Sequence, residues 1–324
     1  MLYPWHQPYW QHLSAYVEQQ RIPQAILMNG IAGLGKRALA VHFAQYLVCT
    51  DKQGQDFCGQ CESCRLFSAQ THPDFILVEP EEPGKAIGVD LIRQLIIKLR
   101  LKPQFSGFRV VLITPAENMN NNSANAFLKC LEEPPERTMF ILLAQQMQVL
   151  PATIISRCQK LLISPPMLAE VNTWLNEQGV SEQQELLLNL AEGAPLLAVT
   201  YAKEGVLAQR QNYFLEWQKI ILSKACPVEL AAVWYKLPAG QILFWLITWT
   251  EDIIKCHYQV KSSLLRNADL EKHLNVLSKR LDLQCLYEFH RLLLTSTRRI
   301  HTQLNKQLLF EEVLITWAQT AINK

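Results

Sequence analysis

Four short apolar runs, Ala25–Met28, Phe75–Val78, Val110–Ile113 and Phe140–Leu143, punctuate the first half of the chain. Each is too short for a helix and apolar at consecutive positions, the pattern of strands buried on both faces. Between them the apolar positions recur at helical spacing. Leu39, Val41, Phe43, Ala44 and Leu47 do so within 36–48, and Val89, Ile92, Leu95, Ile96 and Leu99 within 89–101. A third helix is expected over 123–133, where Pro134-Pro135 stops it. Strands alternating with helices predict an α/β fold with a doubly wound parallel sheet, whose ligands sit beyond the carboxyl ends of the strands.

The pattern changes after Pro165-Pro166, and no further strand is expected. Residues 167–205 read as a few short helices. Residues 207–222, 241–260 and 284–303 read as long amphipathic ones. The expected division is a sheet domain over 1–165, a small helical domain over 166–207 and an all-α domain over 208–324. A chain of 324 residues is long enough for such cores. A hydrophobic share of 49% excludes a disordered chain. The formal charge of +2 does not by itself argue for a nucleic-acid-binding surface. The start, Met1-Leu2-Tyr3-Pro4-Trp5, has no signal-peptide pattern, and the apolar run Ile242–Trp249 fits a buried helix better than a membrane span. A cytoplasmic protein with no membrane partner is expected. Five tryptophans past residue 210 are expected to pack between helices rather than stack on bases.

Candidate chemistry begins directly after the first strand. Residues 30–37 read Gly-Ile-Ala-Gly-Leu-Gly-Lys-Arg. A loop of this kind between strand and helix cradles phosphates on its backbone N–H groups, and its lysine reaches the terminal ones. Gly30, Gly33, Gly35 and Lys36 retain that capacity. A working loop ends in Lys followed by Ser or Thr, whose hydroxyl holds Mg²⁺. Arg37 stands there instead. An ATPase also needs an acidic residue at the end of a neighbouring strand. The strand at 110–113 ends in Thr114-Pro115, and Glu117 is expected to lie too far round the loop to substitute. ATP binding is therefore expected to be weak or absent.

Nine cysteines are an odd number, which suits a reducing compartment with some thiols on metal. Cys58, Cys61 and Cys64 have Cys-x₂-Cys-x₂-Cys spacing, and Cys49 lies just upstream at the end of the first helix. Four thiolates suit a closed, structural Zn²⁺ site, and the short spacings let knuckle N–H groups bond to sulfur. Iron–sulfur ligation, a redox dithiol and unligated buried thiols are the alternatives. A zinc-dependent nucleic-acid binder is disfavoured by the acidic flanks Asp51, Asp56, Glu62, Glu79, Glu81 and Glu82. His72, beside the second strand, reads as structural.

The stretch Ser123-Ala124-Asn125-Ala126-Phe127-Leu128-Lys129-Cys130-Leu131-Glu132-Glu133-Pro134-Pro135 resembles the helix after the second ATPase motif of bacterial clamp-loader subunits. Ser156-Arg157-Cys158 resembles the Ser-Arg-Cys motif of the same family, the AAA+ clamp loaders of DNA polymerase III. Tyr3-Pro4-Trp5, the cysteine cluster and Thr71-His72-Pro73-Asp74 extend the similarity over most of the chain, and it weakens after about residue 210. The resemblance implies a helical lid and a collar domain after the sheet. It places Leu196, in Gly193-Ala194-Pro195-Leu196, where active members carry a sensor arginine. Three catalytic elements are then missing, which points to a non-hydrolysing member rather than a motor subunit. From spacing alone Arg157 is a surface arginine at an element end; the resemblance implies an arginine finger supplied in trans to a neighbouring ATPase subunit. It also implies gamma/tau and delta subunits as partners, with the sliding clamp and primed DNA met through the complex. The competing reading is a free-standing P-loop ATPase that compensates with Glu117 or Arg37.

Overall fold

The computed structural model describes residues 2–82, 84–300 and 305–320. The chain divides into two compact units. One runs to Glu177 and adds Glu192–Leu197; the other takes Gln178–Ala191 and the chain from Ala198 onward.

The first unit begins with α1 (Gln7–Glu18), β1 (Ala25–Asn29) and α2 (Lys36–Val48). There follow α3 (Glu62–Ser68), β2 (Phe75–Val78), α4 (Val89–Leu99), β3 (Arg109–Ile113), α5 (Asn121–Glu132) and β4 (Thr138–Ala144). A short α6 (Ala152–Ile155), β5 (Gln159–Leu162) and α7 (Leu168–Glu177) complete it. The five strands form one sheet in the order β2-β3-β4-β1-β5. Every pairing is parallel, with Ala25 opposite Phe140 and Ile26 opposite Gln159.

Strand alternation sorts the side chains onto two faces. Val110, Leu112, Ile26 and Met28 pack with Leu39, Phe43 and Trp10 of α2 and α1. Val111, Ile113, Leu27 and Phe140 pack with Ile92, Leu95 and Phe127 of α4 and α5. Both faces are covered, so all of β4 and β3 is buried. This is the doubly wound parallel arrangement expected from the alternating pattern.

Three local differences have physical causes. β5 was not foreseen, because at the sheet edge it exposes Gln159, Lys160 and Leu162 and carries no apolar run. α1 was not foreseen either; its buried positions are only Trp10, Leu13 and Ser14. α4 stops at Leu99 rather than residue 101, ahead of Pro103, which disfavours helix at the residue before it.

The second unit is helical among its described residues. α8 (Gln184–Leu190), α9 (Pro195–Lys203), which begins in the first unit, α10 (Val206–Ile221) and α11 (Pro227–Trp234) precede the longest helix, α12 (Ala239–His257). α13 (Glu271–Ser278), α14 (Leu283–Arg299) and α15 (Lys306–Thr320) end it. The expected end of the 284–303 helix lies partly outside the described residues. Trp217, Trp234, Trp245, Trp249 and Trp317 are all buried, and Trp217 stacks on Trp317 at 3.9 Å between centroids. These rings are core, as expected. Arg210 is buried as well; it donates to Asn267 and Asp269, while the Asp252 carboxylate accepts from the backbone N–H and the side-chain amide of Asn267 at 2.8 Å each. No described helix is long and apolar enough to cross a membrane.

Candidate functional site: a phosphate-type loop, an arginine turn and a cysteine cluster

The glycine loop joins β1 to α2 and lies beyond the carboxyl end of the sheet. Each glycine meets a neighbour where a Cβ would sit. At Gly30 it would come within 2.4 Å of the Ile163 carbonyl oxygen, and at Gly33 within 2.9 Å of Leu197 Cβ. At Gly35 it would come within 2.7 Å of the Tyr3 ring. Gly33 and Gly35 also adopt φ of 78°, the left-handed region that favours glycine. The loop is tied down further by its surroundings. The Leu34 carbonyl accepts from Trp5 Nε1 at 3.0 Å and from His6 Nε2 at 2.8 Å, and the Leu196 N–H donates to the Gly33 carbonyl at 3.2 Å.

Lys36 is bent back onto the loop. Its Nζ donates to the carbonyls of Gly30 (2.6 Å) and Ile31 (2.8 Å), and its side chain is buried. Burial pushes its ammonium below the usual lysine range, and the Glu117 carboxylate pulls it partway back. Arg37 turns outward to Glu79, Nη1 to Oε2 at 2.9 Å. A cleft of about 270 Å³ remains, bordered by Gly33, Lys36, Arg37, Thr114, Gln145 and Leu196 among others. It is smaller than the roughly 300–1,000 Å³ of common small-molecule sites.

Glu117 lies nearer the loop than its chain position suggests. A 3₁₀ turn over Ala116–Asn118 brings its carboxylate back to the carboxyl end of the sheet. There Oε1 accepts from the Gln145 N–H at 2.8 Å, and the charge acts on Lys36. The strand end itself, Thr114-Pro115, offers no carboxylate, and the position after Lys36 offers a guanidinium. The donor set around the loop does not fit Mg²⁺ in the way a hydroxyl and an adjacent acidic residue would.

Arg157 occupies the turn between α6 and β5. The Ser156 hydroxyl donates to the Thr153 carbonyl at 3.1 Å and closes the turn. Cys158 is buried in the core, where burial pushes its thiol up to about 11, so it packs as a neutral side chain. Between these two anchors Arg157 is 37% exposed. Its Nη2 donates to Glu132 Oε1 at 2.8 Å and its Nη1 to the Thr153 carbonyl at 3.0 Å. Glu132 as a partner was not visible in the sequence, because it is 25 positions away and its contact depends on the sheet order.

Cys49, Cys58, Cys61 and Cys64 converge at the C-terminal end of α2 and the start of α3. Their sulfurs all lie within 4.8 Å of one another. Individual separations are 3.7 Å (Cys49–Cys58), 3.9 Å (Cys49–Cys61) and 4.0 Å (Cys58–Cys64). A tetrahedron with metal–sulfur bonds of about 2.3 Å has edges of about 3.8 Å, so the four thiols fit a tetrahedral ion. Backbone N–H groups point at sulfur: Cys58 to Cys49 (3.4 Å), Cys61 to Cys58 (3.3 Å) and Cys64 to Cys61 (3.4 Å). The module is braced from outside. His72 Nδ1 accepts from the Asp74 N–H at 3.0 Å, so Nε2 carries the proton and donates to Ser63 Oγ at 2.7 Å. Ser63 in turn donates to the Val48 carbonyl at 2.7 Å. Burial holds His72 below the usual histidine range, with Asp74 opposing. The structural reading of His72 stands.

A parallel α/β unit with a glycine loop after its first strand, a tetracysteine cluster and a following helical unit define the class of protein to compare. A family model described as DNA polymerase III, delta subunit, matches residues 5–167, and one described as DNA polymerase III, delta subunit, C terminal, matches 204–319. The chain belongs to this DNA polymerase III family, as a member of its delta' branch. It is 34% identical to DNA polymerase III subunit delta' of Pseudomonas aeruginosa, over 98% of this chain and 97% of that protein. It is also 34% identical to the Escherichia coli subunit delta', over 79% of this chain and 77% of that one. A shorter match, 31% identity over 56% of this chain and 27% of the relative, is to DNA polymerase III subunit tau/gamma of Haemophilus influenzae.

Proposed function

We propose that this chain is a non-hydrolysing subunit of the DNA polymerase III clamp loader. It helps load the sliding clamp onto primed DNA and supplies Arg157 in trans to a neighbouring ATPase subunit. The observation that carries the reading is the state of the loop. Lys36 is spent on its own carbonyls, Arg37 faces Glu79, and the strand end lacks the carboxylate that metal-assisted hydrolysis needs. The tau/gamma-type relative supports ATPase subunits of that kind, with delta, as the partners. In this reading the helices over 166–207 act as a lid and those over 208–324 as a collar, and the cysteine cluster holds structural Zn²⁺ through Cys49, Cys58, Cys61 and Cys64.

An arginine at the ATP of a neighbour stabilises charge on the transferring phosphoryl group, an effect of about 10³–10⁵ in turnover where it has been measured. In the complex reconstituted with its ATPase and delta subunits, Arg157→Ala should preserve assembly and lower ATP turnover by about tenfold or more, well short of that range because the other ATPase sites of the complex do not depend on this chain. Unchanged turnover refutes the finger. The position of Glu117 near Lys36 favours one second reading, a weak ATPase of the isolated chain. Mg²⁺-dependent hydrolysis by that chain, lost in both Lys36→Ala and Glu117→Gln, would establish it.

A further inference from the structure

The guanidinium of Arg157 is held inside its own chain before any neighbour arrives. Glu132 takes Nη2 at 2.8 Å and the Thr153 carbonyl takes Nη1 at 3.0 Å. These two acceptors come from different elements, and both are anchored. Glu132 is the last residue of α5, which is capped at its start by Asn120 and buried along Phe127 and Leu131. Thr153 lies in α6, whose Ile154 is fully buried. Two of the five N–H donors of the guanidinium are committed. Among the described residues the other three have no partner, and the side chain is 37% exposed.

A surface ion pair of this kind adds little to folding stability. Its effect is on direction. A free arginine must surrender its rotamer freedom to meet a phosphate, whereas a fork already fixed at one edge surrenders less. The C-terminal end of α5 adds a favourable field for the cation.

We propose that Glu132 is a positioning residue for Arg157: it holds one edge of the guanidinium so that the remaining N–H edge is presented to the nucleotide of a neighbouring subunit. This rests on the reading of Arg157 as a finger in trans. Glu132 touches no substrate; it acts through the arginine.

The test uses the reconstituted complex with four versions of this chain: Arg157→Ala, Glu132→Ala, Glu132→Gln and the double variant Glu132→Ala/Arg157→Ala. Steady-state ATP hydrolysis is measured over a range of ATP, with assembly checked by gel filtration. Glu132→Ala should lower kcat about five- to tenfold at unchanged KM, an effect of the size that a small misplacement of a reacting group produces. Glu132→Gln should retain most of the turnover, because the amide oxygen still accepts from Nη2. The double variant should equal Arg157→Ala alone. If Arg157→Ala lowers kcat and Glu132→Ala does not, or raises it, the positioning role is overturned while the finger stands. An effect of Glu132→Ala that persists in the Arg157→Ala background also overturns it, as a structural effect. Unchanged turnover in Arg157→Ala overturns the finger and the positioning role with it.

Discussion

Replacing Gly30 by alanine separates packing from phosphate binding as the reason the loop keeps its first glycine. A Cβ at Gly30 would lie 2.4 Å from the Ile163 carbonyl oxygen and 3.2 Å from Leu34 Cδ1. Neither neighbour can swing away. Ile163 is buried and its N–H bonds to the Asn29 carbonyl at 2.8 Å, while Leu34 is fully buried. Gly30 itself is pinned to β4 by its N–H to the Ala144 carbonyl at 3.2 Å. Relieving the overlap means moving the end of β5 away from β1. Overpacking of this sort costs about 1–3 kcal/mol. The smaller unfolded-state entropy of alanine offsets about 0.4–1 kcal/mol of that. The net, on the order of 1–2 kcal/mol, lowers the melting temperature of a unit of this size by roughly 5 °C. Gly88 is the control, since nothing lies within 4 Å of its added Cβ. Gly88→Ala replaces the N-cap of α4, where glycine is preferred to alanine, so it should cost at most about 1 kcal/mol and melt within roughly 3 °C of the parent. Calorimetry of the full chain, with and without Mg-ATP, measures the shift, and hydrogen exchange of β1 assigns it to the sheet. If Gly30→Ala melts like Gly88→Ala, the packing argument fails. It fails equally if Mg-ATP stabilises the parent and Gly30→Ala does nothing except abolish that stabilisation.

Three further outcomes are expected. His6, His42 and His72 are each held below the ordinary histidine pKa of 6.5, chiefly by burial. Below that pH the unfolded chain binds protons that the fold refuses, so stability present above 6.5 is lost as the pH falls, and the melting temperature should drop between pH 7 and 5.5; a flat profile would count against burial of these rings. Metal analysis of the purified chain should return about one zinc, and chelation under reducing conditions should lower the melting temperature and open the segment around α3 to proteolysis; a metal-free chain of unchanged stability would remove the zinc assignment. In the second unit, Asp252→Ala strands the amide groups of Asn267 and the nearby Lys255, which donates to Asp252 at 2.9 Å. Urea denaturation should show a loss of roughly 2–3 kcal/mol, the cost of leaving the buried amide groups of Asn267 without an acceptor, and a loss below about 1 kcal/mol would mean that water replaces the carboxylate.

Much of the sheet unit was legible because its signals are local. β1 to β4 are runs of consecutive apolar residues, and the loop and the cysteine knuckles are motifs within a few positions of one another. The N–H to sulfur bonds of Cys61 to Cys58 and of Cys64 to Cys61 follow from Cys-x₂-Cys spacing, whereas that of Cys58 to Cys49 depends on a nine-residue excursion. What could not be read depends on which strands become neighbours. Arg37 meets Glu79 across 42 positions, because β2 ends near the start of α2. β5 carries polar residues because it is an edge, a fact set by the strand order and not by its own composition. The contact of Glu117 was not legible either, because a 3₁₀ turn after the strand end folds it back to Gln145, 28 positions on.

The pattern of what is kept argues for positioning over chemistry. Gly30, Gly33 and Gly35 each have a steric neighbour that belongs to the chain and not to a ligand. Lys36 satisfies the loop's own carbonyls. Under the proposed reading, the groups whose only duty would be to metal or to phosphate are the ones replaced, by Arg37, by Thr114-Pro115 and by Leu196. The same division runs through Ser156-Arg157-Cys158. The serine closes the turn and the buried cysteine anchors it. The arginine is the exposed member, at 37% of its side chain, with two of its five N–H donors committed; under the proposed reading a second subunit supplies the phosphate it meets.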